Sequence, residues 1–239
     1  MNIPNILTIF RLIAAPAVGL VFVYLPSPYA DWIAITLFVT AALTDYLDGY
    51  LARKWKQVTN LGRMLDPIAD KAMVLIALLI IAVKIQVTAP GFLTQYIEFT
   101  AFGADRLIIL DPLVPIIVIT FREVFVSGLR EFLGDKAGTL KVTWLAKWKT
   151  ASQMVAITVI FASFLFAHYY WALSSGMSDE IVSGILDGSI EDVYGLSWII
   201  PGVDWSNTIG GWLLWVAGLL TLITGLDYFR KALPILKEI

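Results

Sequence analysis

Four carboxylates fall within twenty-six residues of an otherwise apolar chain: Asp45, Asp48, Asp66 and Asp70. Ionised carboxylates are among the most expensive groups to place in or near a bilayer, so such a cluster marks a functional site. Asp45 and Asp48 are three residues apart and Asp66 and Asp70 four apart, which on helices puts each pair on one face. Brought together, the two pairs repel unless a cation lies between them. Hard divalent ions such as Mg2+ or Mn2+ take carboxylate oxygens and are the natural candidates. Gly49 follows Asp48, and Gly62 precedes Asp66. Glycine costs a helix about 1 kcal/mol relative to alanine, so both positions predict a close approach to backbone. Ala52 adds a second small position one helical turn beyond Asp48.

The elements that carry these residues are membrane helices. Of 239 residues 59% are hydrophobic and only 15% charged, with a mean hydropathy of +0.79, too apolar for a soluble domain. The net charge of −2 indicates no nucleic-acid partner. With no cysteine, disulfides and thiolate metal sites are excluded. The single histidine, His168, lies in an aromatic run of membrane-interface type, so a histidine mechanism is not expected. The opening Met1-Asn2-Ile3-Pro4 has neither a basic segment nor a small-residue cleavage pattern, and is not expected to be a removable signal peptide.

A hydrocarbon core of about 30 Å takes roughly 20 apolar residues per helix. Six spans are predicted, near 6–26, 31–53, 63–87, 112–133, 148–172 and 208–230. Pro4 and Asn5 are placed just before the first, Asn5 as a possible cap, and Pro67 in an opening turn of the third. With both termini cytoplasmic, all of the 17 basic residues except Lys84 and Arg106 fall on or near the inner side. The fold expected is an all-α polytopic membrane protein, a single domain over 1–239 with a cytoplasm-facing cavity. Outer loops lie at 88–111, where a short interfacial helix is possible, and at 173–207. The acids of the second loop fit either a cation site or, more simply, a solvated loop. Both aspartate pairs then sit at the cytoplasmic edge, on antiparallel neighbours joined by a short connection. Arg11 either snorkels to the surface or points into a cavity and binds an anion.

A second constellation is basic: Arg122-Glu123, Ser127, Arg130-Glu131, then Lys136, Lys141, Lys147 and Lys149. Arg122 lies about two turns before the end of its span. It either pairs with Glu123 or Glu131, or belongs to a phosphate cradle, since Arg forks match phosphate geometry and Lys adds point charge.

The pattern Asp45-x-x-Asp48-Gly49-x-x-Ala52-Arg53, eight residues, Gly62-x-x-x-Asp66-x-x-x-Asp70 resembles the signature of the CDP-alcohol phosphotransferase family at every specified position. The resemblance implies a six-helix membrane enzyme, usually a homodimer. It would move a phosphatidyl or similar group from a CDP-linked donor to an alcohol, releasing CMP, with divalent metal, expected as two Mg2+ or Mn2+. Asp45, Asp48 and Asp66 would be metal ligands, and Asp70 a ligand or the general base. Gly49, Ala52, Arg53 and Gly62 would line the CDP site. The resemblance also brings Asn5, Thr8 and Arg11, three residues apart each and so on one helix face, to the nucleotide.

The opening Asn2 to Arg11, the run Arg122-Glu123-x5-Leu129-Arg130-Glu131 and residues 141–154 are similar to a bacterial branch of the family. Its donor is CDP-diacylglycerol and its acceptor sn-glycerol 3-phosphate. In that resemblance Arg122, Arg130 and Lys147 hold the acceptor phosphate, and the enzyme sits in the bacterial inner membrane among its lipids. Other acceptors (inositol phosphate, serine, phosphatidylglycerol) are the alternatives within the family. An ion transporter is the alternative of another class, disfavoured because the acids lie at one edge and no repeat is visible.

Overall fold

A computed structural model describes residues 2–55, 59–88, 98–99, 108–109, 112–134 and 144–237, without the side chains of 46, 48–53, 63, 86–88, 98–99, 108–109 and 237. Seven helices follow one another among these residues: α1 (Ile3–Tyr24), α2 (Tyr29–Lys54), α3 (Asn60–Thr88), α4 (Leu113–Leu133), α5 (Trp144–Ser174), α6 (Asp179–Leu186) and α7 (Leu196–Lys237). The strands among the described residues form a two-residue antiparallel ladder, β1 (Glu98–Phe99) with β2 (Ile108–Ile109), in which Glu98 faces Ile109 and Phe99 faces Ile108. It stands in the loop where a short helix was considered. The β-branched Ile108 and Ile109 suit a ladder better than a helix.

Helices α1, α5 and α7 are long and apolar enough to cross a membrane, and the chain is a membrane protein. Helices α2, α3 and α4, with 26, 29 and 21 residues, have the length, but they carry the charges. The aspartate motif lies on α2 and α3, and Arg122, Glu123 and Arg130 on α4.

Three boundaries differ from expectation. Helix α1 already begins at Ile3, so Asn5 lies inside it, and Asn2 holds the N-cap position without a side-chain cap bond. Helix α3 begins at Asn60, which puts Pro67 inside the helix and not in its opening turn. Helix α7 begins at Leu196, twelve residues before the predicted span, and the 173–207 loop also contains α6. The early start of α7 has a local cause. The Asp192 carboxylate accepts from the backbone N–H groups of Leu196 and Ser197, both at 2.9 Å, and from Ser197 Oγ at 2.5 Å. These bonds satisfy donors that a helix start leaves open. Gly202 then lets the helix lie against Phe166, whose ring would stand 3.1 Å from an added Cβ.

The chain forms two compact units. The first comprises Met1–Ala77 with Thr158–Gly210. Here α1 packs along α2 through small residues, with Ala14, Ala15, Ala34 and Ala41 all buried. Phe161 of α5 closes this core, its ring 6.0 Å from Phe22 and 5.8 Å from Phe38 in tilted and edge-on geometry. The second comprises Leu78–Ile157 with Gly211–Ile239. Its core joins α4 to α7 through Val126, Leu133, Tyr228 and Ala232. Gln153 of α5 donates to Thr221 Oγ1 of α7 at 3.1 Å, and both are buried.

Candidate active site

One face of α1 organises the first unit. Asn5, Thr8 and Arg11 are 8%, 2% and 1% exposed, while Ile6 and Ile13 beside them are 50% and 63% exposed. Three-residue spacing on a helix produces this division. The polar face is turned inward and the apolar face outward, as suits a helix surrounded by lipid.

Each residue of that face has a partner outside α1. Arg11 Nη1 donates to Asp45 Oδ1 on α2 at 2.5 Å and to Asp70 Oδ1 on α3, and Arg11 Nη2 lies 3.4 Å from Asp66 Oδ1. One guanidinium thus meets three carboxylates. Thr8 Oγ1 reaches Asp66 Oδ1 at 2.6 Å and the Pro4 carbonyl at 3.1 Å. A hydroxyl has one proton, and the shorter contact to a charged acceptor takes it. Asn5 Oδ1 accepts from Thr59 Oγ1 at 2.8 Å, and Thr59 Oγ1 in turn accepts from Gly62 N–H at 3.0 Å, capping α3. A Cβ on Gly62 would lie 3.3 Å from both Asn5 Oδ1 and Thr59 Oγ1. The glycine therefore leaves room for the bridge between α1 and α3.

The electrostatics are unbalanced by design of the sequence. Among the described side chains three carboxylates face one buried guanidinium. Arg11 is always protonated. The Asp45, Asp66 and Asp70 side chains are 40%, 45% and 43% exposed, against 2% for Arg11. The carboxylates are partly exposed, and the guanidinium beneath them is buried. Among the described side chains no group of three or more His, Cys, Asp or Glu is spaced as a metal-ligand set. The described site does bring the Oδ1 atoms of three partly exposed carboxylates around one cationic group. Carboxylate oxygens are the donor type that a hard divalent ion takes, and here they close on the Arg11 guanidinium. Asp48, Gly49, Ala52 and Arg53 continue α2 beyond Asp45, and their side chains lie outside the described residues.

The second unit has its own buried charge cluster. Glu123 of α4 is 8% exposed, and its Oε1 forms an ion pair with Lys149 Nζ of α5 and lies 3.4 Å from Arg122 Nη1. Arg122 thus meets Glu123, one of the two partners expected for it in a pairing. Arg130 Nε donates to Tyr228 Oη at 3.2 Å, with its guanidinium carbon 5.2 Å from the ring centre. Lys147 is exposed, whereas Lys149 is only 5% exposed. Lys136 and Lys141 lie outside the described residues. Choosing between the two lysines from sequence was possible by helical period. Lys149, Gln153, Ala156, Ile157 and Ile160 recur at spacings of three and four, and all five are buried.

Comparison with known proteins identifies the family. Residues 1–179 match the CDP-alcohol phosphatidyltransferase family model, and the chain belongs to that family. It is therefore a transferase of phospholipid biosynthesis in a membrane. A protein of Cereibacter sphaeroides described as a CDP-diacylglycerol–glycerol-3-phosphate 3-phosphatidyltransferase is 48% identical over 99% of this chain and 98% of its own length. Proteins with the same description in Rickettsia bellii and Haemophilus influenzae are 34% and 40% identical. They cover 96% and 65% of this chain, and 94% and 73% of their own lengths.

Proposed function

We propose that this protein transfers a phosphatidyl group from CDP-diacylglycerol to sn-glycerol 3-phosphate, releasing CMP and phosphatidylglycerophosphate. The observation that carries this reading is the convergence of Asp45, Asp66 and Asp70 on the α1 face, in a chain whose full-length relatives bear that description. Asp45, Asp48, Asp66 and Asp70 would hold divalent metal, two Mg2+ or Mn2+ ions. When bound, such ions neutralise charge on a diphosphate under attack.

The chain's own residues do the remaining work in this proposal. Thr8 and Arg11 fix the orientation of the carboxylates from below. Asn5, Thr8, Arg11, Gly49, Ala52, Arg53 and Gly62 form the donor site, the small residues giving room to the nucleotide. Asp70 takes the proton of the acceptor hydroxyl, or serves only as a ligand. Arg122 and Arg130 bind the acceptor phosphate, with Lys147 or Lys149 as the lysine. Helices α2, α3 and α4 span the membrane with α1, α5 and α7. The charged positions keep to the cytoplasmic edge, and both termini are cytoplasmic in a bacterial inner membrane. Residues 1–239 act as one functional domain, in a homodimer.

The test is purified full-length protein with CDP-diacylglycerol, divalent metal and a panel of acceptors, read as CMP release. Glycerol 3-phosphate should be preferred by at least about tenfold in kcat/KM, which is about 1.4 kcal/mol of discrimination. Equal turnover with inositol phosphate or serine would move the assignment to another member of the family. Absence of CMP release with every acceptor would sink the transferase reading altogether.

A further inference from the structure

The stem of Arg122 lies against α7 at Gly225. A Cβ built on Gly225 would stand 2.9 Å from Arg122 Cγ, 3.7 Å from Nε and 3.9 Å from Cδ. The first distance is closer than real Cβ atoms come to a neighbour. Because Cγ is near the root of the side chain, it cannot swing aside as a tip could. Any side chain at Gly225 moves the whole guanidinium.

The far end of Arg122 is held from the other direction. Glu123 Oε1 lies between Arg122 Nη1 and Lys149 Nζ, and the three side chains are only 16%, 10% and 7% exposed. Among these three groups one carboxylate faces two cations, in a largely dry environment. Arg122 Nε is buried and has no hydrogen-bond partner among the described residues. A cationic group with an open donor is suited to an anion, and the planar fork of arginine matches phosphate oxygens.

We propose that Gly225 is a positioning residue for the acceptor. Its missing side chain sets the reach of the Arg122 guanidinium toward a phosphate monoester, and Glu123 with Lys149 sets its direction. This rests on the reading of Arg122 as an acceptor-phosphate group. Displacing a positioning group by about 1 Å can slow an enzyme by about a hundredfold, so a single methyl at this contact should be visible in kinetics. Alanine also favours helix over glycine, which separates the effect from simple loss of α7.

The experiment uses the full chain in detergent as wild type, Gly225→Ala, Arg122→Ala and the double variant. The readouts are KM for glycerol 3-phosphate, KM for CDP-diacylglycerol and kcat. Arg122→Ala and Gly225→Ala should each raise the acceptor KM, the latter by about tenfold, with the donor KM changed less than about twofold. In the Arg122→Ala background, Gly225→Ala should add nothing, because the stem it would strike is gone. A rise caused by Arg122→Ala but not by Gly225→Ala overturns the proposal. So do fully additive effects, or equal losses in both KM values. An unchanged acceptor KM in Arg122→Ala removes the acceptor role of Arg122 itself, and the role of Gly225 with it. Should Gly225→Ala fail to fold alone, recovery of folding in the double variant supports the contact, and failure of both overturns it.

Discussion

Thr8 Oγ1 donates to Asp66 Oδ1 at 2.6 Å, joining the first helix of the chain to the third. The same carboxylate oxygen is the one that approaches Arg11. Helix α1 thus fixes Asp66 through a single atom. Thr8→Val keeps the shape and removes the donor. A hydrogen bond to a charged group contributes about 1.5–3 kcal/mol, and the half-exposed acceptor brings this towards the lower end. A loss of about tenfold in kcat/KM is expected, with Thr8→Ser close to wild type. Equal losses in both variants would show that packing, not the bond, matters at this position.

Arg11 is the buried cation of the cluster. In Arg11→Gln, Asp45, Asp66 and Asp70 lose a shared positive charge. The variant should unfold at a lower temperature than wild type in chelator. Added Mn2+ should then raise its unfolding temperature more than it raises that of wild type, because the ion meets carboxylates that no guanidinium neutralises. Thermal unfolding with and without Mn2+ makes the comparison. A smaller rise in the variant would mean that Arg11 organises the carboxylates more than it balances them.

Asp70→Asn preserves volume and removes a charge and a proton acceptor. Turnover should fall by at least about a thousandfold if Asp70 is the base, within the range found for general-base groups. Binding of CDP-diacylglycerol, measured by titration calorimetry with metal present, should be largely retained. Loss of donor binding in parallel with turnover would assign Asp70 to holding metal.

Glu123 neutralises Lys149 in a buried setting. Glu123→Gln should destabilise the protein by about 3 kcal/mol, since it removes the buried carboxylate that Lys149 and Arg122 share. Replacing both partners, as in Glu123→Gln with Lys149→Met, should recover much of that loss. Unfolding of the single and double variants tests the coupling. Additive losses would mean that the pair contributes little.

Asp192 predicts a pH effect at the start of α7. Hydrogen bonds from the Ser197 side chain and backbone lower its carboxyl from the ordinary 3.8 to about 2. The sign follows from linkage: a depressed carboxyl stabilises fully above about pH 4 and loses its contribution as pH falls through about 2. Hydrogen exchange at the Leu196 and Ser197 amides should accelerate, relative to neighbouring amides, over that window. Asp192→Ala should show fast exchange at every pH.

The aspartate cluster was legible because acids are rare in so apolar a chain, and their spacing alone assigned them to helix faces. The polar face of α1 was legible for the same reason, through the three-residue period of Asn5, Thr8 and Arg11. Two alternatives stood open for Arg11, the surface or an anion in a cavity. The cavity direction is the one seen, and the anions are the protein's own carboxylates. Charge pairing over long sequence distance is not encoded in local pattern, so Glu123 with Lys149 could not be read from either residue. The start of α7 was hidden by Gly195, Pro201 and Gly202, which read as loop. The Asp192 cap and the fit of Gly202 against Phe166 override those local signals. The ladder at Glu98–Phe99 is too short to leave a periodic trace.

The polar face of α1 also has a consequence for biogenesis. Helix α1 is made before α2 and α3, and Arg11 is then a charge without those carboxylates in a hydrophobic segment, a placement that costs about 2.5–3.5 kcal/mol on insertion scales. Its first carboxylate partner is made thirty-four residues later and its last fifty-nine residues later. Until α3 emerges, Arg11 lacks the carboxylates of Asp66 and Asp70. Translation of residues 45–70 thus supplies the motif and, with the same atoms, the counter-charges that make the first helix cheaper to bury.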